Sequence, residues 1–416
     1  MGRLDVPGQL WLYRTKPLDD ELFSSWLVRL SWGLALKLQT FSTQILKLSP
    51  GFWTHDVDRR PDISVLARLC DGTAVTPERA WATGLGEFEG RLWETATRRE
   101  ASQWVMPIGK YGRRRYLHGQ QFCSQCLLDD RQPYFRRKWR LAFNVACEVH
   151  GVYLLDACPR CGSPVEFHAG DFGERLLPME CQITRCKNCK WDLRAALPGK
   201  VLPVSSDLLD FQRKLNECLD KGWSHALPGA ICYSHLFFTG LRQLVHLACS
   251  SSRFARARQM LLGRNGALCL EIPHESPPVF ETLRIGERAA VLDLARQLLL
   301  EWPFNFVELC KQSRVSSSYL LNYRRQYPYW LRSEIEWYLN DRDYAPTHAE
   351  RRSAKEYLLK HNLPVSKNSI NRLLGVSYVS RQTLRADKRN RWNPRGPIVK
   401  SVRGLGKWGV KAYSTQ

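Results

Sequence analysis

The spacing of apolar residues predicts a mainly helical chain. Between residues 19 and 50, apolar side chains recur at intervals of about four positions, which places them on one face of a helix. Pro50 ends the pattern, because proline rarely continues a helix. We therefore predict a helix within residues 19–50. Its apolar positions are Leu22, Trp26, Leu27, Leu30 and Leu34.

A second helical pattern, over residues 62–84, contains a break. Gly72 and Thr73 interrupt it, and Thr76 followed by Pro77 supplies a new start. A threonine hydroxyl can cap the first turn of a helix, and proline is favoured at the first helical position. Two short helices around a tight turn predict a helix-turn-helix-like unit in the N-terminal part of the chain.

The middle of the chain has a different pattern. Residues 105–120 are Gly-rich and basic, which predicts a connector, and short apolar runs at 152–155 and 164–167 predict strands. Helical patterns return after residue 200 and cover residues 205–220, 234–249 and 286–302.

The sequence towards the C-terminus predicts a helix-turn-helix unit. Ser366 can cap a helix that runs to Leu374, Gly375 can form the turn, and Ser377 begins a second helix. The polar side chains of that second helix would enter a major groove of DNA. They are Arg381, Gln382, Arg385, Lys388 and Arg389.

An earlier stretch, residues 306–331, repeats this pattern with Arg324 and Arg325 facing outward. Two such units in tandem would span neighbouring segments of a groove. The alternative is that these helices pack in a protein interface and that their arginines are solvated. The sequence leaves both interpretations open.

The net charge of the chain indicates a polyanionic partner. The 416 residues include 62 Lys and Arg against 40 Asp and Glu, a formal charge of +22. Residues 351–416 hold 16 Lys and Arg against two acids, so +14 of that charge lies there. Electrostatic attraction and counterion release favour binding to nucleic-acid phosphates. A merely soluble basic protein is the alternative.

The role of the cysteines depends on whether the protein is in an oxidising or a reducing compartment. The first residues lack the apolar core of a signal peptide, and no apolar run approaches the ~20 residues of a membrane helix. We therefore expect a cytoplasmic protein without membrane contact, which associates with the nucleoid when bound. In a reducing compartment, the 14 cysteines favour metal binding over disulfides.

Four Cys/His pairs, each with a two-residue spacer, lie within 67 residues. Such a spacer lets both side chains of one turn reach the same ion, so two pairs complete a tetrahedral shell. Taken as neighbours, the pairs predict a Cys₃His zinc site followed by a Cys₄ zinc site. The ligands are Cys123, Cys126, Cys147 and His150, then Cys158, Cys161, Cys186 and Cys189.

Other uses of these cysteines explain fewer of them. A redox pair at Cys158 and Cys161 would leave the other pairs unused, and iron–sulfur ligation does not explain His150. Catalytic zinc needs an open coordination position, so we expect two structural zinc ions, with Cys181 as a weaker substitute ligand.

The short segment 151–157 between the sites predicts one rigid double-zinc unit. With little apolar core of its own, this unit is expected to unfold largely without metal. The remaining cysteines, expected to be ordinary buried thiols, are Cys70, Cys218, Cys232, Cys249, Cys269 and Cys310.

Basic residues alternate with aromatic residues between the first two Cys/His pairs. Tyr134, Phe135, Trp139 and Phe143 flank a run of cations, which suits phosphate contacts and base stacking. The alternative is an aromatic core beside the zinc site with solvated charges. The candidate nucleic-acid-binding residues in this half of the chain are Arg136, Arg137 and Lys138, with Arg113, Arg114 and Arg115 in the connector.

The predicted fold is mainly α and multidomain. It comprises an N-terminal helix-turn-helix-like domain, a central double zinc-ribbon or zinc-knuckle unit with short strands, and a C-terminal helical domain with helix-turn-helix units. The predicted domains are residues 1–104, 105–200, 201–345, 346–390 and a basic tail at 391–416.

Two stretches resemble the TniQ/TnsD family of transposition proteins. DELFSSWLVRLS, from Asp20, is similar to the family's E-x-x-x-S-W-L-x-R-L opening. FCSQCLLDDRQPYFRRKWRLAFNVACEVHGVYLLDACPRCGSPV, from Phe122, is similar to its block of cysteine pairs with P-Y-F-R-x-x-W between them. The resemblance covers roughly residues 18–195, and EWPFNF, from Glu301, resembles a later turn of the family.

This resemblance implies a non-catalytic target-site selector of a bacterial multi-protein transposition system. Such proteins bind attachment-site DNA or dock on a CRISPR RNA-guided effector complex, can act as homodimers, and recruit an AAA+ ATPase of the TnsC or TniC type. It also implies that the eight ligands named above hold the family's two zinc ions. In the opening motif, Trp26 and Arg29 are candidate partner-binding residues.

Motifs of several enzyme classes are absent from the sequence. No G-x-x-x-x-G-K-[ST] phosphate loop, H-E-x-x-H or G-x-S-x-G occurs, so an ATPase, zincin or α/β-hydrolase site is not expected. We predict a protein that is not an enzyme. A zinc-containing, sequence-specific transcriptional regulator is the alternative from another class, and a nuclease or transposase subunit is a third.

Overall fold

The computed structural model describes most of the chain up to residue 375. The described residues are 10–49, 51–95, 103–108, 110–111, 114–115, 117–171, 182–195, 199–227, 230–249, 254, 258–261, 279–321, 327–339 and 347–375. The chain divides into two compact units. Unit 1 comprises Met1–Val315 and Tyr319–Glu334, and unit 2 comprises Ser316–Ser318 and Ile335–Gln416.

The first predicted helix is divided in the structure. Helix α1 covers Phe23–Gly33, and a short helical turn, α2, covers Leu38–Thr40 and continues as a π-turn at Phe41–Ile45. The chain leaves α1 because Ala35 adopts a left-handed φ of 56°. Gly33 also permits a close approach, since a Cβ there would lie 1.9 Å from the Tyr13 ring. The predicted helix within residues 19–50 is therefore confirmed over Phe23–Gly33, but the break that follows it was not predicted.

The predicted pair of short helices at residues 62–84 is confirmed. Helix α3 covers Ile63–Thr73, and α4 covers Pro77–Trp81. The Thr76 hydroxyl accepts a hydrogen bond from the Arg79 backbone N–H at 3.4 Å, and Pro77 occupies the first helical position. Ala74, with a left-handed φ of 57°, ends α3.

The central region contains short elements between the cysteine pairs. Strands β1 (Lys110–Tyr111) and β2 (Arg114–Arg115) pair antiparallel, and helix α5 covers Ser124–Asp129. Strands β3 (Ala146–Cys147) and β4 (Val152–Tyr153) also pair antiparallel. A strand at 152–155 is thus confirmed in part. At 164–167 the structure has an isolated bridge from Pro164 to Ala157 and a 3₁₀ turn at Phe167–Ala169 instead.

The helices predicted after residue 200 are present. Helix α6 covers Ser206–Lys221, α7 covers Ser234–Cys249, and α8 covers Ile285–Leu299. Between α6 and α7, strands β5 (Trp223–Leu227) and β6 (Ala230–Tyr233) form an antiparallel hairpin. Ser205 caps α6 and Gly222, with a φ of 78°, ends it. Further helices are α9 (Phe304–Gln312), α10 (Ser317–Leu320) and α11 (Tyr329–Tyr338).

The first half of the C-terminal helix-turn-helix prediction is confirmed. Helix α12 covers His348–Lys360 and α13 covers Lys367–Leu373. The Ser366 hydroxyl caps α13 by accepting from the Ser369 backbone N–H at 3.0 Å, and Gly375 has a φ of 70°. The second helix, predicted from Ser377, lies outside the described residues.

The zinc region contributes to a large apolar core, contrary to the expectation of a small one. Phe122, Phe135 and Phe143 are fully buried in it. Phe135 stacks on Phe167 with ring centroids 4.0 Å apart, and Phe143 packs against Phe238 of α7 at 5.1 Å. Apolar burial of this extent stabilises the region alongside any metal.

Two buried arginines connect distant segments of unit 1. Arg140 donates to both carboxylate oxygens of Asp56, at 3.1 and 2.6 Å, and to Asp58 at 3.2 Å. Arg288 of α8 donates to the Ala142 carbonyl at 2.9 Å and to the Gln121 side chain at 3.0 Å. Unit 1 thus includes residues on both sides of the predicted boundaries at 104 and 200. The division into five domains stays a prediction.

In the part of the chain that the structure describes, no helix is both long and apolar enough to cross a membrane.

Candidate metal centres

The four predicted ligands of the first site meet at one point. His150 Nδ1 lies 3.5 Å from Cys123 Sγ and 3.4 Å from the sulfurs of Cys126 and Cys147. The Cys126 and Cys147 sulfurs are 3.4 Å apart. Tetrahedral zinc with ordinary bond lengths requires S···N and S···S edges of about 3.6 and 3.8 Å. The Cys₃His group could therefore hold a zinc ion.

The second ring nitrogen of His150 has a carboxylate partner. His150 Nε2 lies 2.9 Å from Asp129 Oδ2, at the end of α5. A metal-bound histidine commonly donates its other N–H to such a group, which fixes the tautomer and the ring orientation. Asp129 therefore fits a supporting role at this site. This role of Asp129 was not predicted from the sequence, although the acid pair Asp129 and Asp130 close to Cys126 was a usable signal.

Local backbone geometry presents the first set of ligands. Cys123 stands at the N-cap of α5, and its sulfur accepts from the Cys126 backbone N–H at 3.5 Å. Cys147 is the last residue of β3, and Gly151, with a φ of 65°, turns the chain so that its N–H donates to the Cys147 carbonyl at 2.8 Å. Each pair thus lies on one tight turn.

The second predicted set is also assembled. Cys158 Sγ lies 3.6 Å from Cys189 Sγ, and Cys161 Sγ lies 3.6 Å from Cys186 Sγ. All four sulfurs are within 4.8 Å of one another. These distances approach the ~3.8 Å edge of a zinc tetrathiolate, so the Cys₄ group could hold the second zinc ion.

The turns of the second site repeat the turn at Cys147. Gly162 donates to the Cys158 carbonyl and Lys190 to the Cys186 carbonyl, both at 2.9 Å. Gly162 and Lys190 have left-handed φ values of 70° and 58°. In each turn, the residue four positions after the first cysteine reverses the chain, which leaves both sulfurs on the same side.

One segment connects the two sites. Phe122, next to Cys123, forms a β-bridge with Leu155, and Ala157, next to Cys158, forms one with Pro164. The segment between the sites is thus hydrogen-bonded to both of them. Asp156 within it accepts from Arg284 at 2.8 and 3.0 Å, which ties the segment to the start of α8.

The two sites differ in exposure. In the first, the three cysteines are buried and His150 is half-buried. In the second, Cys161 is exposed and Cys189 is half-buried. Solvent and small reagents therefore reach the Cys₄ sulfurs more readily than the Cys₃His sulfurs.

The donor chemistry fits zinc in both sites. Burial raises the pKa of the Cys158 thiol to about 12, and a divalent cation beside it would offset this effect because zinc binds the thiolate. With four protein ligands each, the sites leave no coordination position for substrate, so bound zinc would cross-link the chain.

Cys181, the weaker candidate, lies outside the described residues. Of the other cysteines, Cys218, Cys249 and Cys310 are buried, Cys70 and Cys232 are half-buried, and Cys269 lies outside.

The central basic cluster is paired with carboxylates in the structure. Arg136 contacts Asp130 at 2.9 Å, Arg137 contacts Asp20 at 3.2 Å, and Lys138 contacts Asp220 at 2.8 Å. The Arg136 guanidinium also lies 4.4 Å from the centre of the Tyr134 ring. Their role in nucleic-acid binding stays a prediction, and these ion pairs would compete with phosphate contacts.

The other predicted nucleic-acid contacts fall mainly outside the described residues. Arg114 and Arg115 form β2, and their side chains are not described. Those outside the described residues are Arg113, Arg324, Arg325, Arg381, Gln382, Arg385, Lys388 and Arg389.

The two candidate partner-binding residues lie in the core. Trp26 is fully buried, and its indole N–H donates to the Thr15 carbonyl at 2.8 Å. Arg29 forms a buried ion pair with Glu21 and donates to Gln132 at 2.7 Å. Their role in partner binding stays a prediction. Because both side chains are buried, they would affect a partner only through the segments that they hold in place.

Comparison with known proteins agrees with the resemblance seen in the sequence. No curated protein sequence matches the chain. The TniQ family model matches residues 12–154, a range that includes α1, the helices α3 and α4, and the whole Cys₃His site. TniQ is a non-catalytic accessory domain associated with transposition. The TnsD assignment stays a prediction. Residues 12–154 of this chain therefore match a TniQ domain.

Proposed function

We propose that this chain is a non-catalytic target-site selection factor of DNA transposition, which binds target DNA and recruits an AAA+ ATPase of the TnsC or TniC type. The observation that carries this proposal is the TniQ match over residues 12–154, with an intact Cys₃His ligand set inside it. A TniQ domain implies DNA and protein partners, which we take to be target DNA and this ATPase.

The charge distribution supports the DNA-binding part of the proposal. The chain carries a formal charge of +22, and residues 351–416 account for +14 of it. In unit 2, Arg352 and Lys355 are exposed on α12, and α13 has the cap and turn of a helix-turn-helix unit. Cations on such a unit suit phosphate contacts beside a major groove.

The construction of unit 1 supports the recruiting part. Arg140 and Arg288 connect its segments through buried hydrogen bonds, and zinc bound by the two candidate ligand sets would cross-link its middle. Partners bind with less loss of entropy to a surface that is already ordered. A rigid unit of this kind suits a protein that holds DNA and an ATPase together. It is also compatible with a homodimer and with nucleoid association in the bacterial cytoplasm.

Two binding measurements test the proposal. The purified chain is mixed with the AAA+ ATPase encoded in the same transposon, and co-elution is followed by size-exclusion chromatography. In parallel, gel shifts compare attachment-site duplex with random duplex at stated salt concentrations, because phosphate contacts alone are salt-dependent and non-selective. Co-elution with selective duplex binding supports direct target selection. Failure to co-elute under conditions where the ATPase is folded contradicts recruitment.

In an alternative form of the proposal, a CRISPR RNA-guided effector complex recognises the target DNA and this chain docks on that complex. It predicts co-elution with that complex and the ATPase but no preference between the two duplexes. A transcriptional regulator, favoured by the helix-turn-helix start at Ser366, predicts selective duplex binding without ATPase binding. The same two measurements therefore separate all three functions.

A further inference from the structure

The outer end of the Cys₄ site carries an arginine whose surroundings differ from those of its neighbours. Arg160 lies between Cys158 and Cys161 at the tip of the turn and is exposed. Asn188 occupies the corresponding exposed position in the Cys186 turn. Because all four sulfurs face one another, these tip residues face solvent.

Three other cations around this site, Lys187, Lys190 and Arg194, are already engaged. Lys187 contacts both oxygens of Glu166 at 3.2 and 3.3 Å, and Arg194 contacts Asp192 at 2.7 to 3.0 Å. Lys190 donates to the Gly170 carbonyl at 3.1 Å. Their charges are locally balanced or their donors are occupied, so they have less to offer an external anion.

Arg160 is oriented by an aromatic ring instead of a carboxylate. Its guanidinium lies 5.4 Å from the centre of the Trp191 ring. The Trp191 indole N–H donates to the Ala195 carbonyl at 3.2 Å, which holds the ring in place. Among the described residues, Arg160 has no ion pair, so its planar set of N–H donors is ordered yet unused by the protein.

We infer that the tip of the Cys₄ turn is a DNA backbone contact, in which Arg160, held on Trp191, binds a phosphate of duplex DNA. Arginine presents a planar fork of donors that matches phosphate oxygens, and an aromatic ring behind it reduces the entropy lost on binding. The net charge of +22 attracts the same polyanion. The inference rests on the proposed function only in taking duplex DNA as the partner.

The salt dependence of duplex binding tests this inference. Each phosphate contact makes the slope of log K against log salt concentration more negative by about 0.9. We expect Arg160→Ala to make the slope less negative by about 0.9, which corresponds to roughly eightfold weaker binding near 0.1 M salt. Fluorescence anisotropy with a labelled random duplex, from about 50 to 200 mM KCl, measures both quantities. Arg160→Lys keeps a point charge, so it should retain the slope with lower affinity.

Arg194→Ala is the matched control, because that arginine belongs to the same site but is paired with Asp192. It should leave the slope unchanged, and zinc content is measured for every variant. An unchanged slope in Arg160→Ala overturns the inference and leaves the proposed function standing. Loss of zinc in Arg160→Ala also overturns it, since Arg160 would then serve the thiolate cluster. Absence of duplex binding by the unchanged chain contradicts both proposals.

Discussion

The imidazole of His150 lies between three cysteine sulfurs and the carboxylate of Asp129. Its Nδ1 is 3.4 to 3.5 Å from the sulfurs, and its Nε2 is 2.9 Å from Asp129 Oδ2. This arrangement assigns Nδ1 to the metal and the Nε2–H to the carboxylate. The ring is therefore held from both sides, although Asp129 is exposed and distant in sequence.

We expect Asp129→Asn to weaken zinc binding at the Cys₃His site by about 10- to 100-fold, because the neutral amide supports the ring less well. Competition with a chromophoric chelator measures the affinity. Asp130→Asn is the control, since Asp130 contacts Arg136 instead of the histidine. Equal weakening in both variants would mean that only the general negative charge matters.

The unchanged chain should bind two zinc ions, and Cys158→Ser should bind one. The Cys₃His site lies among buried side chains such as Phe122 and Phe135, so it should survive loss of the second site. In the unchanged chain, chelator should remove zinc from the exposed Cys₄ site first. Elemental analysis and timed chelator assays check these outcomes. Loss of both ions from Cys158→Ser would instead mean that the two sites fold as one cooperative unit.

Arg140→Ala should lower the free energy of unfolding by about 3–5 kcal/mol, because it leaves Asp56 and Asp58 without their buried cation. Urea denaturation measures the loss. Arg213→Ala, which breaks an exposed pair with Asp210, should cost less than about 1 kcal/mol. A similar decrease in the free energy of unfolding in both variants would contradict the claim that the buried ion pairs of Arg140 stabilise the fold more than the exposed pair does.

The cost of Arg140→Ala should also depend on pH. Burial raises the pKa of the Asp58 carboxyl from 3.8 to about 6, although Arg140 opposes the shift. A carboxyl with a raised pKa in the folded state destabilises the fold as the pH increases through the interval between the two values. Without Arg140 the folded pKa rises further, so the deficit should grow as the pH increases above about 6. A deficit that shrinks over this range would contradict this account.

Gln212→Ala should destabilise unit 1 by about 3 kcal/mol. The Gln212 side chain of α6 accepts from the backbone N–H groups of Val145 and Ala146, at 2.7 and 2.9 Å, and donates to the Ala146 carbonyl at 2.9 Å. The variant leaves these buried groups without partners. Lys214→Ala, on the exposed side of the same helix, is the control for lost helix propensity. Thermal and urea unfolding compare the two.

Buried thiols should be unreactive in the folded, metal-loaded chain. Burial raises the pKa of Cys249 and of Cys310 to about 12, so almost no thiolate is present at them near pH 8. Titration with a disulfide reagent should therefore label them only after denaturation. Labelling of either cysteine in the folded chain would indicate local opening of α7 or α9.

Local sequence patterns predicted the parts of this protein that short-range chemistry determines. The two-residue spacers identified both ligand sets, because a pair of ligands on one tight turn needs no information from the rest of the chain. Helix starts at Thr76 and Ser366 were predicted for the same reason, since each cap bonds within three residues. The TniQ family model then matched residues 12–154, in agreement with the resemblance of the opening motif and the cysteine pairs.

Tertiary structure decided which polar side chains are available to a partner. Arg137 and Lys138 look like free cations in the sequence, but the fold brings Asp20 to Arg137 and Asp220 to Lys138 from distant parts of the chain. Trp26 and Arg29 stand in a recognisable motif yet are buried, and the support of His150 by Asp129 joins residues 21 positions apart. Burial and ion pairing depend on the packing of the whole unit, and no local pattern contains that information.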